Sequence, residues 1–196
     1  MKKILFILCF IFSLAVSAQP QLCNGSQGYG WVPFSSPGLP MGMLVPGQVV
    51  VVTFDLGSYN QINSNWVHAF EITLGTGWTN LTPVSPPLNP GGSPGNWLWD
   101  LQHTFIGGLN FGPGWRFVNN GNAGWGTSST GPFSMSFEVT VGSTCTPSLL
   151  PITMQVFDDC STGGWNNGTC CTDPPLQWVG LQVQVPLINT PPINHY

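Results

Sequence analysis

What this chain of 196 residues has least of is charge: Asp, Glu, Lys and Arg together make up 5% of it. Its only Lys and Arg residues are Lys2, Lys3 and Arg116, so beyond position 3 a single guanidinium stands against seven carboxylates. Gripping a phosphate backbone takes clustered cations that displace condensed counterions, and an anionic lipid surface makes the same demand. Nucleic acid and acidic membranes are therefore excluded as partners. Nowhere does an apolar stripe persist at helical spacing for three turns, which argues against a helical fold. The apolar run Ile4 to Val16 is too short for a convincing membrane span, and no second run approaches the ~20 residues that a membrane-crossing helix needs. Chemical signatures are missing as well. There is no Gly-x-Ser-x-Gly elbow to present a serine nucleophile, no pair of Cys-x-x-Cys motifs to hold zinc, and no EF-hand spacing of acids.

What is present starts with an address. Lys2-Lys3, the apolar run Ile4 to Val16 and the small pair Ser17-Ala18 before Gln19 form the three regions of a secretory signal peptide. Residues 1–18 are expected to be removed, leaving a chain with no transmembrane segment that is secreted, either extracellular or at the cell surface, with the periplasm as the alternative. Pro20 stands three before Cys23, where a bacterial lipobox favours Leu, which argues against a lipid anchor. Residues 19–47 read as an irregular Gly/Pro-rich lead-in, 48–188 as one folded domain, and 189–196 as a short tail.

The clearest structural signal is Pro132 to Val141. Phe133, Met135, Phe137, Val139 and Val141 alternate with Ser134, Ser136, Glu138 and Thr140, the period of a strand with one dry and one wet face, and a central position in an antiparallel sheet is expected. Gln48 to Leu56 is almost continuously apolar and β-branched, and reads as a strand covered on both faces. Trp66 to Leu74 alternates again, with His68 in register with the apolar side and Glu71 opposite Trp66. Leu149 to Phe157 and Gln177 to Val185 supply two further strands. Between Gly75 and Gly131 short aromatic pieces are bounded by Gly, Pro and Asn, which indicates short strands and ordered loops. The expected fold is all-β, an antiparallel β-sandwich of immunoglobulin-like or jelly-roll type, with about seven to nine strands and long loops rich in Gly, Trp and Asn.

Five cysteines follow the signal segment: Cys23, Cys145, Cys160, Cys170 and Cys171. In an exported chain these are disulfide candidates, and their odd number leaves one thiol over. Cys160 is expected to pair with Cys170 or Cys171 around a short loop, with Cys23 tied to Cys145. That loop region carries Asp158, Asp159, Asn166 and Asp173, hard oxygen ligands of the kind calcium prefers, so calcium is the one cofactor to consider. The alternative is that Asp158 and Asp173 cap turns through bonds to backbone amides.

Nine tryptophans are the most unusual feature of the composition. Trp97, Trp99, Trp115, Trp125 and Trp165 lie among Gly and Asn, and flat aromatics beside amides suit stacking on sugar rings. A loop-rich sandwich also needs aromatic plugs beneath its loops, and the two readings stand side by side. Paired acids across a cleft would mark a glycoside hydrolase. Glu71, Glu138, Asp100 and Asp158 are the acids to weigh, but nothing in the sequence brings any two together. His103 and His195 are isolated, and His68 reads as a hydrogen-bonded core residue. Arg116, between Trp115 and Phe117, is expected on the polar face of a strand and paired with one of the seven acids.

The order of these pieces, through Gly-Trp and Asn-Trp dipeptides, GWRF, PFSMSFEVTV, DDCSTGGW and CCTDPP, together with the Ser-Ala-Gln end of the signal segment, resembles extracellular modules of Bacteroidota surface proteins. The resemblance implies a non-enzymatic module serving adhesion or the cell envelope. The tail beginning at Val185 does not resemble a sorting domain of the type IX secretion pathway. The function expected is a secreted structural or adhesive module contacting an extracellular protein or glycan. A carbohydrate-binding module is the alternative, and a glycoside-active enzyme ranks below both.

Overall fold

The computed structural model describes residues 21–22, 26–34, 44, 46–61, 64–104, 110–143, 151–163, 171–172 and 176–178. The expected signal segment, Cys23, Cys145, Cys170, Trp165, Asn166, Asp173, the strand beyond Trp178 and the tail lie outside them, and of Cys171 only the backbone is described.

The described residues hold strands and no helix. In chain order these are β1 (Gln21–Leu22), β2 (Ser26–Phe34), β3 (Val49–Tyr59), β4 (Val67–Leu74), β5 (Trp78–Ser85), β6 (Gly95–Asp100) and β7 (His103–Thr104). They continue with β8 (Asn110–Phe111), β9 (Gly114–Asn119), β10 (Phe133–Val141), β11 (Ile152–Asp158), β12 (Cys171–Thr172) and β13 (Leu176–Trp178). Nine of them have three or more residues, within the range the sequence suggests. One sheet runs β2-β3-β10-β5. The other runs β1-β12-β11-β4-β9-β6, with β13 also on β11, and a separate hairpin pairs β7 with β8. All pairings are antiparallel except the short one between β1 and β12.

The alternation in β10 decides how the first sheet is built. Its odd-numbered residues from Phe133 to Val141 are buried and the even-numbered ones between them are half-exposed. β10 pairs with β3 from Phe133 opposite Leu56 to Thr140 opposite Val49, so Val50, Val52, Phe54 and Leu56 join the same inner face. β10 is central, as expected, but β3 is not covered on both sides. Val49 is exposed and Val51, Thr53 and Asp55 are half-buried on the outer face. Its continuous apolar character reflects β propensity at half-buried positions as well as core demand.

The second sheet supplies Phe70 and Ile72 from β4, Trp97 from β6, Trp115 and Phe117 from β9, and Ile152, Met154 and Val156 from β11. The two inner faces meet where Phe133 of β10 packs against Phe70 of β4, ring centroids 5.5 Å apart, and against Trp97 of β6 at 6.2 Å. Gly114 opens β9 because the strand runs tight against β4 there: a Cβ would collide with the Phe70 carbonyl oxygen.

β4 departs from simple alternation. Phe157 of β11 faces Ala69, but the next residue, Asp158, faces Val67, so β4 has one residue more than its partner and His68 is the extra one. Val67 and Phe70 both point into the core, which leaves His68 and Ala69 together on the outer face. His68 is thus buried, but on the side opposite the one its sequence register implies. Ala69 is small enough to admit Phe111 and Phe157 above it, with their rings edge to face at 6.0 Å, and this second apolar cluster seats the β7–β8 hairpin on the sheet.

Truncating Phe133 to Ala is expected to cost about 3–5 kcal/mol, since it removes a large ring from the contact between the layers. Ser136→Ala on the wet face of the same strand should stay within about 0.5 kcal/mol. Urea unfolding followed by tryptophan fluorescence measures both, and equal small losses would show that the layers do not depend on this contact.

Candidate functional site

The outer face of the second sheet collects ionisable groups that are scattered in sequence. β9 turns Trp115 and Phe117 inward, so Arg116 projects outward, as its register predicts. Its Nε donates to Oδ2 of Asp100 on β6 at 2.6 Å, with side-chain exposures of 14% and 27%. His103 of β7 lies nearby, its Nδ1 3.9 Å from the same oxygen. The bulge brings His68 of β4 to this face, and Asp159 follows directly after β11. His68, His103, Arg116 and Asp159, with Thr104 and Ala123, line a pocket of about 290 Å³ that Gly124 and Cys160 complete.

Two loops form its walls. The loop after β9 is closed at its base by Asn119, whose Oδ1 accepts from Gly121 N at 2.8 Å while its Nδ2 donates to Gly126 O at 3.1 Å. Gly126 then passes so close to β4 that a Cβ would collide with the Val67 carbonyl oxygen, and Thr127 N donates to that same oxygen at 2.8 Å. Asp159 fastens the second loop to the first. Its Oδ2 accepts from Gly126 N at 2.8 Å and from the Thr162 hydroxyl, while Oδ1 accepts from Ser161 N and Thr162 N, both at 3.0 Å. Asp158 accepts from Cys160 N at 3.1 Å and from Asn65 N at 3.3 Å. Cys160 is in a disulfide, so this wall is also covalently tied.

Asp158 and Asp159, two of the residues expected as calcium ligands, thus accept bonds from backbone amides, while Asn166 and Asp173 lie outside the described residues. Among the described residues no group of three or more His, Cys, Asp or Glu is placed to hold a metal ion.

Burial sets the state of the imidazole. His68 is 2% exposed, and loss of hydration pulls its pKa from 6.5 down to about 4, against the opposing pull of Asp159 and a hydrogen bond with the Trp125 backbone. His103 is also lowered, first by desolvation and then by the Arg116 charge. Glu71 is raised by burial, partly countered by its bond from Gly112 N.

The tryptophans divide. Trp97 and Trp115, 9% and 6% exposed, are core residues, and Trp99 is half-buried with its ring edge-on to Trp115 at 5.3 Å. Burial takes Trp97 and Trp115 away from any stacking surface. Among the described members of the set, Trp125, 39% exposed on the loop that walls the pocket, is the one that keeps an open face, and Trp165 lies outside the described residues. Of the acids weighed for a catalytic pair, the two glutamates are kept apart. Glu71 lies on the outer face of one sheet and Glu138 on the outer face of the other, so the core separates them. Sequence reading missed the convergence of His68 and His103, because the bulge that redirects His68 leaves no mark in the alternation of β4.

Two measurements test the site. His68 has a folded pKa below its unfolded value, so as pH falls from about 6.5 the unfolded chain takes up a proton that the folded one refuses until about 4. Stability should fall through that window, on the order of 3 kcal/mol in all, and level off below it. Glu71, raised, acts in the opposite sense, favouring the fold where it is protonated. Melting temperature followed from pH 7.5 to 3.5 should show the drop in the wild type and a flatter profile in His68→Gln; identical profiles would remove His68 as the cause. For the ion pair, Arg116→Ala and Asp100→Ala should each cost about 1–3 kcal/mol. The double variant should cost less than their sum by about 1 kcal/mol, and strict additivity would mean that the pair contributes nothing.

Comparison with protein-family models, with curated proteins and with solved structures found no match for this chain.

Proposed function

We propose that this chain is a secreted, non-enzymatic module that makes structural or adhesive contacts with proteins or glycans outside the cytoplasm. The observation that carries the reading is how its few charges are used. Asp158 and Asp159 accept bonds from backbone amides that hold the loops, where an enzyme would turn such carboxylates toward a substrate. The outward faces support it as well. Ser136 and Thr140 of β10 lie opposite exposed Ser85 and Thr79 of β5, with Glu138 opposite Thr82 between them, a surface rich in hydroxyls with one carboxylate among them, suited to many weak contacts. Glycan binding is the second reading, favoured by the pocket and by exposed Trp125, which follows the lining residues Ala123 and Gly124 on the same loop.

The test is surface plasmon resonance of the purified protein against extracellular matrix proteins and a glycan array. Saturable binding to at least one of them is expected, varying little with ionic strength because no cationic surface steers it. Glycan cleavage by the protein, abolished by Glu71→Gln or Glu138→Gln, would overturn the non-enzymatic reading.

A further inference from the structure

We propose that the pocket framed by β4, β7 and β9 binds one neutral sugar ring, with the Arg116 guanidinium as its main hydrogen-bond donor. The proposal rests on the glycan-binding reading and names its site and ligand class. A guanidinium carries five N–H donors in a rigid fork. The Nε–H of Arg116 is taken by Asp100, and among the described residues the two terminal NH2 groups make no hydrogen bond, although the side chain is only 14% exposed and lines the pocket. Asp100 fixes the fork, so its remaining donors are oriented before a ligand arrives.

Charge narrows the ligand. Arg116 faces the carboxylates of Asp100 and Asp159, and both imidazoles are neutral at pH 7 because desolvation lowers their pKa. Carboxylate charge is in excess, which disfavours an anion. A cation finds no open ligand in Asp159, whose oxygens already accept four bonds, and Asp100, whose Oδ2 is held by the guanidinium, does not line the pocket. What remains is a neutral molecule rich in acceptors. The lining also has an apolar part, from Ala123, Gly124 and Cys160, beside the polar one. A sugar ring has this division, with C–H groups on its faces and hydroxyls around its edge. A volume of about 290 Å³ is at the small end of the ~300–1,000 Å³ seen for ligand pockets, so it suits one ring and not a chain of them.

The test is isothermal titration calorimetry of the purified protein at pH 7 with a hexose, a 6-deoxyhexose, a pentose and an N-acetylhexosamine, and with glucuronate as the charged control. At least one neutral sugar should bind saturably and in preference to glucuronate. Arg116→Met should weaken it about tenfold to a hundredfold, the loss expected for hydrogen bonds from a charged donor. Because that variant also breaks the pair with Asp100, Ala123→Phe serves as the second. Ala123 is exposed on the loop, so the added ring should fill the pocket and abolish binding while the melting temperature holds. Sugar binding that survives Ala123→Phe, a preference for glucuronate, or no binding by any neutral sugar would each overturn the proposal. If none of the sugars binds while the protein still binds a matrix protein, the pocket assignment fails and the broader module reading stands; if nothing is bound in either assay, both fail.

Discussion

The structure depends on two apolar sheet faces that must exclude water from each other. With so few charges, the chain has little recourse to ion pairs, and the burden falls on the contact among Phe133, Phe70 and Trp97 and on the aliphatic rows around it. Burying a large aromatic or branched side chain contributes roughly 1.5–3 kcal/mol, and the rows on β3, β10 and β11 repeat that gain at every second residue. Such a scaffold constrains its inward positions most, and outward ones only where a second cluster or a close strand covers them. The outward ones are free to carry hydroxyls and amides over most of their area, and in one place a pocket lined by both polar and apolar groups.

Carboxylates take an uncommon part here. In a protein with many cations, Asp and Glu find Lys and Arg. In this one, Asp158 and Asp159 find backbone N–H groups, and through them join the end of β11 and the loop after it to the segment before β4 and to the loop after β9. These charge-assisted bonds to amides tie segments far apart in sequence, and each satisfies donors that would otherwise be stranded in a buried loop. The Cys160 disulfide adds a covalent tie at the same place. The pocket wall is therefore stiff for a stretch that has no regular secondary structure.

Much of this was legible from residues alone, for identifiable reasons. A strand with one wet face writes its period directly into the chain, so β10 and the outward turn of Arg116 could be read from alternation. β3 misled because Val49 and Val51 resemble core residues while standing on the wet side, where β-branched residues are favoured by the backbone. The tryptophans misled differently. Gly and Asn beside Trp97 and Trp115 suggested loops, but those small neighbours lie in strands that pass close to others, as the collision awaiting a Cβ at Gly114 makes plain. The pocket was the least legible part, because it depends on pairing between strands distant in sequence, and one residue of slack in β4 decides which way His68 points.

That slack has a genetic consequence. Two residues, His68 and Ala69, occupy the outward side between inward-facing Val67 and Phe70, where regular pairing has room for one. Loss of a single codon there would let β4 pair evenly with β11 while Val67 and Phe70 kept their places in the core. The lineage would retain a folded sandwich and lose the imidazole in one step, and an insertion could restore it as simply. Fold and pocket can therefore diverge by length polymorphism, with no substitution in the core at all.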